Sequence, residues 1–187
     1  KPAIFIAGAD IGSFSKATRP ADFSELIELG QTIFNRISAL SIPSVAAIHG
    51  ACVGGGFEIC LSCDARIASP DKSTKICLPE TMLGILPAWG GSTRLPRLIG
   101  VPKALDIILA GKTLAAKPAL KCGMIDDIVP REYLVEKARK LILSRGLGLR
   151  HRKSGLVKSL VNTGLVARII ASRVEKSVFK KTRGHYP

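Results

Sequence analysis

An α/β fold is predicted for this chain, and three observations predict it. Short β-branched apolar runs alternate along the sequence with longer segments whose apolar residues recur at three and four. One apolar run ends in Gly54-Gly55-Gly56 and resumes at once as Phe57-Glu58-Ile59-Cys60-Leu61 at helical spacing, so strand, glycine turn and helix start follow one another. The chain is 47% hydrophobic and 22% charged over 187 residues, which suits one domain with a sizeable core, or a domain plus an appendage.

The elements are read in order. Residues 3–7 form a continuous apolar run, a buried strand leading into Gly8-Ala9-Asp10-Ile11. A buried strand needs neighbours on both sides, so partner strands are expected upstream of residue 1. After a polar loop with Ser13, Ser15 and Pro20, Asp22 is expected to cap a helix with Leu26, Ile27, Ile33, Phe34, Ile37 and Leu40 on its apolar face. Residues 44–48, after Pro43, read as a buried strand running into the glycine turn. Residues 65–68 and 75–78 read as strands, the second ending at Pro79-Glu80, and residues 83–92 as a glycine-rich apolar loop. Gly90-Gly91 should open a short helix with Thr93 and Leu95. Helical patterns follow at about 102–110 and 113–122, then a strand at 125–129 and a helix carrying Tyr133, Leu134, Ala138, Leu141 and Ile142. Residues 146–153 read as a basic linker, and residues 156–176 as a final helix with Leu160, Leu165, Ile169 and Ile170 apolar.

Charge and cysteine usage narrow the function classes. The net charge is +14, yet from Arg131 onward 15 Lys/Arg face only Glu132, Glu136 and Glu175, so the tail holds nearly all of it. An anionic partner is implied: ligand phosphates, lipid headgroups, nucleic acid or an acidic subunit. Without interleaved aromatics or a reader motif, nucleic acid is disfavoured. No apolar run reaches the roughly 18 residues of a spanning helix, and no secretory signal pattern opens the sequence. Five cysteines without paired ligand spacing point to reduced thiols, with Cys60 and Cys63 as core packing rather than metal ligands. A location in the bacterial cytoplasm or an organelle matrix is expected.

The glycine turn excludes two familiar phosphate motifs. A dinucleotide fingerprint starting at Gly54 would need a small residue where Ile59 stands, and a P-loop would need Lys and Ser/Thr where Phe57-Glu58 stand. What remains is a helix N-terminus whose free N–H groups and dipole favour something anionic in front of them. A tight turn without chemistry is the plainer alternative.

Four segments then accumulate into a family. Gly8-Ala9-Asp10-Ile11, Ile48-His49-Gly50-Ala51-Cys52-Val53-Gly54-Gly55-Gly56-Phe57-Glu58, Leu78-Pro79-Glu80 and Leu83-Gly84-Ile85-Leu86-Pro87-Ala88-Trp89-Gly90-Gly91-Ser92-Thr93-Arg94-Leu95 closely resemble the enoyl-CoA hydratase (crotonase) family, in the right order and spacing as far as about Ser144. The tail Lys180-Lys181-Thr182-Arg183-Gly184-His185-Tyr186-Pro187 is similar to the junction in multifunctional fatty-acid oxidation α-subunits, where a hydratase region continues into a 3-hydroxyacyl-CoA dehydrogenase. The resemblance implies a crotonase-like ββα spiral, truncated at its N-terminus, with a C-terminal helical extension. Residues 1–145 would be the hydratase core lacking its opening strands, and residues 146–187 would lead toward an absent dehydrogenase.

The implied activity is hydration of a trans-2-enoyl-CoA to a 3-hydroxyacyl-CoA. Backbone N–H groups of Ala9 and Gly55 would form the oxyanion hole, and Glu58 and Glu80 the acid/base pair, titrating as a coupled pair. Ala7, Asp10, Ile11, Ile85, Leu86 and Trp89 would contact substrate. No metal or cofactor is implied, since coenzyme A is part of the substrate and NAD serves only the absent dehydrogenase. Implied partners are the acyl-CoA thioester, a thiolase β-subunit and further copies in an oligomer, with peripheral membrane contact open for the basic tail. Plainer roles stay open too: Glu58 on a solvated helix face, Glu80 ending a strand, Asp10 in a simple turn. His49 receives no role. Two alternatives for the whole remain, a Δ3-Δ2 enoyl-CoA isomerase and a non-catalytic scaffold or membrane-contact segment. Cys77 before Leu-Pro-Glu and Ala88-Trp89 before Gly90 depart from the family pattern, which puts the shape of the acyl pocket in question more than the chemistry.

Overall fold

The computed structural model describes residues 3–8, 12, 19–145, 168 and 172. Among the described residues, six strands form two three-stranded sheets in which every ladder is parallel. One sheet has the order β1 (Ile4–Ile6), β3 (Ala51–Val53), β5 (Lys75–Cys77); the other has β2 (Val45–Ile48), β4 (Ala65–Ala68), β6 (Asp127–Ile128). The helices named among the described residues are α1 (Pro20–Ser38), α2 (Gly55–Ser62), α3 (Gly91–Ile99), α4 (Val101–Leu109), α5 (Ala116–Cys122) and α6 (Leu134–Arg145). Short 3-10 turns at Glu80–Leu83 and Arg131–Tyr133 complete the described elements. The α/β expectation therefore holds.

The strand expected at 44–48 does not run straight into the glycine turn. Gly50, at φ 84°, breaks the chain there, and residues 51–53 form a second strand in the other sheet. A side chain at residue 50 would overlap the backbone of Ala3, so this break also lets β1 come alongside. The buried strand expected at 3–7 is corrected in turn. β1 pairs only with β3 among the described strands, and Ile4 and Ile6 remain 41% and 36% exposed. Asp22 stabilises α1 from inside its first turn rather than as its cap: the cap is Arg19, whose N–H donates to the Asp22 carboxylate at 3.1 Å. On the expected apolar face of α1, Phe34 is buried, whereas Ile33 and Leu40 are exposed. The segment 146–187, expected as linker and helix, lies outside the described residues except for Arg168 and Ser172, both helical and exposed.

The main core gathers Ile48, Cys52, Phe57, Cys60, Ile76, Leu78 and Leu95 with the apolar faces of α4 and α5. α2 runs through it, and its two ends are fixed by different means. At the C-terminal end the buried guanidinium of Arg66 donates to the carbonyls of Cys60 at 3.2 Å and Cys63 at 2.8 Å, satisfying orphan acceptors with a cation where the dipole favours one. At the N-terminal end Gly56 packs so closely on β1 that a Cβ there would overlap the Ile6 carbonyl.

Two effects oppose each other at residue 56, and their sizes decide the sign of a substitution. Alanine in place of a helical glycine gains about 0.5–1 kcal/mol, whereas overpacking against backbone costs typically about 1–3 kcal/mol. Gly56→Ala is therefore expected to lower the urea midpoint. A raised midpoint would show that α2 does not lean on β1.

Candidate active site

The three glycines deliver the N-terminus of α2 to the wall of a cavity of about 560 Å³. Ala7 and Gly8, at the end of β1, form one side; Val53, Gly54, Gly55 and Glu58 form the next. Phe23, Leu26 and Ile27 of α1 close another side, and Leu83, Ile85, Leu86, Ala88 and Trp89 complete the lining with Pro79 and Glu80. The lining is thus almost wholly apolar, apart from two carboxylates and the backbone of a helix start.

Both carboxylates are buried, Glu58 at 2% and Glu80 at 9% exposure. Glu58 projects from the first turn of α2, and its Oε1 accepts the Gly91 N–H at 2.8 Å, from the start of α3. Burial pushes its pKa up to about 7; the backbone N–H groups of Gly91 and Trp89 pull it back, while the nearby Glu80 charge raises it further. Glu80 opens the 3-10 turn, and burial raises its pKa as well. Its Oε1 lies where a Cβ on Gly54 would stand 2.9 Å away, and Gly54 takes φ 57°, a backbone conformation that favours glycine. Its Oε2 has no hydrogen-bond partner among the described residues.

The predicted residues largely come together. Glu58, Glu80, Gly55, Ala7, Ile85, Leu86 and Trp89 all line the one cavity. Ala9, Asp10 and Ile11 lie outside the described residues. Glu58 is not on a solvated face, and Glu80 does not end a strand but begins a 3-10 turn. Cys60 packs in the core, 3.6 Å from the Cys52 sulfur, and both thiols donate to the Gly56 carbonyl. His49 pairs through Nδ1 with Ser69 Oγ at 2.9 Å, in a hydroxyl cluster with Thr74. Sequence reasoning missed the α1 wall, Leu83, and the Gly91 N–H that grips Glu58. The apolar spacing of Leu26 and Ile27 was the available signal, but it marks a face without saying what lies opposite.

The family model for enoyl-CoA hydratase/isomerase matches residues 1–184. The chain belongs to the enoyl-CoA hydratase/isomerase family. It is 44% identical over 184 residues to a fatty acid oxidation complex subunit alpha from Shewanella sp. (strain ANA-3), covering 98% of this chain and 26% of that protein. A Vibrio cholerae serotype O1 subunit of the same name is 44% identical over 193 residues, covering all of this chain and 27% of that one. The chain thus spans about a quarter of the length of the curated relatives it matches. Among solved structures, an enoyl-CoA hydratase from Bacillus anthracis superposes with a TM-score of 0.72 at 33% identity, covering 96% of this chain and 69% of that one. Human mitochondrial delta3-delta2-enoyl-CoA isomerase gives 0.71 at 27% identity, covering 92% of this chain and 66% of that one. The crotonase-like fold expected from the four motifs is the fold observed.

The raised pKa of Glu58 has a sign that stability measurements can read. With a folded value near 7 against 4.5 for the ordinary carboxyl, protonation favours the native state. That contribution is complete below about pH 4.5 and is lost as pH rises through about 7. Glu58→Gln keeps an acceptor for the Gly91 N–H and carries no charge. It is expected to gain up to about 3 kcal/mol on the wild type between pH 4.5 and pH 8 in urea titrations. A difference that stays flat with pH would show that Glu58 is not desolvated.

Proposed function

We propose that the protein hydrates a trans-2-enoyl-CoA to a 3-hydroxyacyl-CoA, with Glu58 and Glu80 as its acid/base pair. The observation that carries this reading is the burial of both carboxylates at one apolar cavity, beside the N-terminus of α2. As water adds to C3 the thioester carbonyl gains negative charge. The Gly55 N–H, at the first position of α2, would bind that oxygen, with the Ala9 N–H as its proposed second donor. Each preorganised donor of this kind is worth roughly 2.7–4 kcal/mol, and the helix dipole acts in the same direction.

The two carboxyls divide the proton work. The Gly91 N–H favours the carboxylate form of Glu58, the form suited to accept a proton from the attacking water. Glu80 is buried with one oxygen unpartnered, which favours its protonated form and suits it to deliver a proton to C2. The apolar walls would receive the acyl chain. This reaction needs no cofactor beyond the coenzyme A of the substrate, and an oligomer and a thiolase-type β-subunit are proposed partners, in keeping with relatives named as subunits of a fatty acid oxidation complex.

An isomerase reading has comparable structural likeness in its favour. The second buried carboxylate favours hydration, because moving a double bond needs fewer acid/base groups. A 3-enoyl-CoA supplied to the protein separates them: conjugation without water uptake would overturn hydration.

In the whole protein, Glu58→Gln and Glu80→Gln are each expected to lower kcat by roughly 10²–10⁴-fold while saturated acyl-CoA still binds. Near-wild-type turnover in either variant would remove that residue from the mechanism. Because the active form of Glu58 is the carboxylate, wild-type kcat/KM is expected to rise with pH through an inflection near 7. A profile flat from pH 5 to 8 would contradict Glu58 as base.

A further inference from the structure

Trp89 is kept in place by a gap in helix α1. Its indole lies over Gly30, where a Cβ would overlap the ring at its Nε1, Cδ1 and Cε2 atoms. Its Nε1–H donates to the Leu26 carbonyl at 3.3 Å, and Phe34 meets the ring edge-on with centroids 5.7 Å apart. Residues 26, 30 and 34 recur every four positions, so they form one stripe along α1. Glycine in a helix interior costs about 0.5–1 kcal/mol relative to alanine, and Gly30 is not among the residues with positive φ. The backbone does not ask for glycine there; the indole does.

The loop that carries the ring is clipped to the same helix. Gln31 Nε2 donates to the Ala88 carbonyl at 2.7 Å, and Arg94 donates to the Trp89 carbonyl at 3.0 Å and to Asn35 Oδ1 at 2.6 Å. With its backbone tied in this way, a ring refused its place on residue 30 would have to turn about its own side-chain bonds. Open space is available in the cavity, which the indole already lines together with Leu26 and Ile27.

We propose that the Gly30–Trp89 joint is a specificity-determining element: by seating the indole in α1 it sets how long an acyl chain the cavity accepts. This rests on the reading that the cavity takes the acyl part of a CoA thioester. Filling the seat would push the ring into the cavity and exclude long chains. Shrinking the ring would lengthen the cavity and favour them.

Three variants of the whole protein test it: Gly30→Ala, Trp89→Leu and the pair combined. kcat/KM is measured for crotonyl-CoA and a dodecenoyl-CoA, and the Kd of unreactive butyryl-CoA and lauroyl-CoA by calorimetry. Gly30→Ala is expected to lower the long-to-short ratio by about tenfold or more, the scale at which hydrophobic pockets discriminate methylenes. Trp89→Leu is expected to raise that ratio several-fold, and the double variant to return toward the wild type. Equal losses for both lengths would overturn the proposal and leave the joint a purely structural contact. Should Gly30→Ala fail to fold, Trp89→Leu decides alone. The calorimetric arm keeps the two readings apart. A wild type that hydrates neither substrate, but whose lauroyl-CoA Kd responds to the substitutions, would overturn the reaction and support the joint. Turnover of both substrates with an unresponsive ratio would overturn the joint alone.

Discussion

The close approach of α2 to β1 is the constraint on which the rest of the structure depends. Gly56 sits against the Ile6 carbonyl with no room for a methyl group, and this contact fixes where the first turn of α2 points. From that turn come the Gly55 N–H and the Glu58 side chain, while Gly54, just before it, leaves room for the Glu80 carboxylate. At the far end Arg66 holds the Cys60 and Cys63 carbonyls and pairs with Asp126, joining the helix to the approach of β6. A helix of eight residues pinned at both ends in this way cannot slide, so the groups on its first turn keep their geometry.

The same arrangement places ionisable groups where bulk water barely touches them. An unpaired carboxylate in an apolar wall is costly, and the cost shows as pKa values displaced upward rather than as a broken fold. Backbone N–H groups, the Arg94 charge and the dipole of α2 partly offset it at Glu58. Natural sites often trade stability in this way for a group poised near neutral pH. The buried thiols follow similar physics: the hydrogen bond with Cys60 and then desolvation raise Cys52 well above the ordinary thiol, and desolvation raises Cys77, and Cys63 to about 11, so they behave as small apolar side chains.

Much of this was legible in the sequence where chemistry is written in contiguous motifs. The glycine turn, both glutamates, and Ile85, Leu86 and Trp89 stand in short runs whose order and spacing survive without any structure. What stayed hidden depends on what lies opposite. Residues 51–53 form a strand too short to show a period, so only the backbone at Gly50 reveals that it belongs to the other sheet. Helical spacing placed Leu26 and Ile27 on an apolar face, but that face meets a cavity rather than a core. Nothing in the sequence marks the use of Gly30, because that use is visible only when residue 89, far along the chain, folds back onto it.

The two sheets also govern how such a chain can reach its native state. β2 and β3 are consecutive, yet Val45 pairs with Ala65, while Ala51 pairs with Ile4 and with Lys75. The β4 ladder waits longer still, for Asp127 to reach Ile67. No ladder among the described strands can begin as a hairpin, and each requires a large loop to close before its first bond rewards it. Folding must then be slow for a chain of this size, with high contact order. Until the threads meet, half-paired strand edges stand open to other chains, so the parallel architecture that aims the helix start so well carries a cost during folding, when unpaired edges are templates for association.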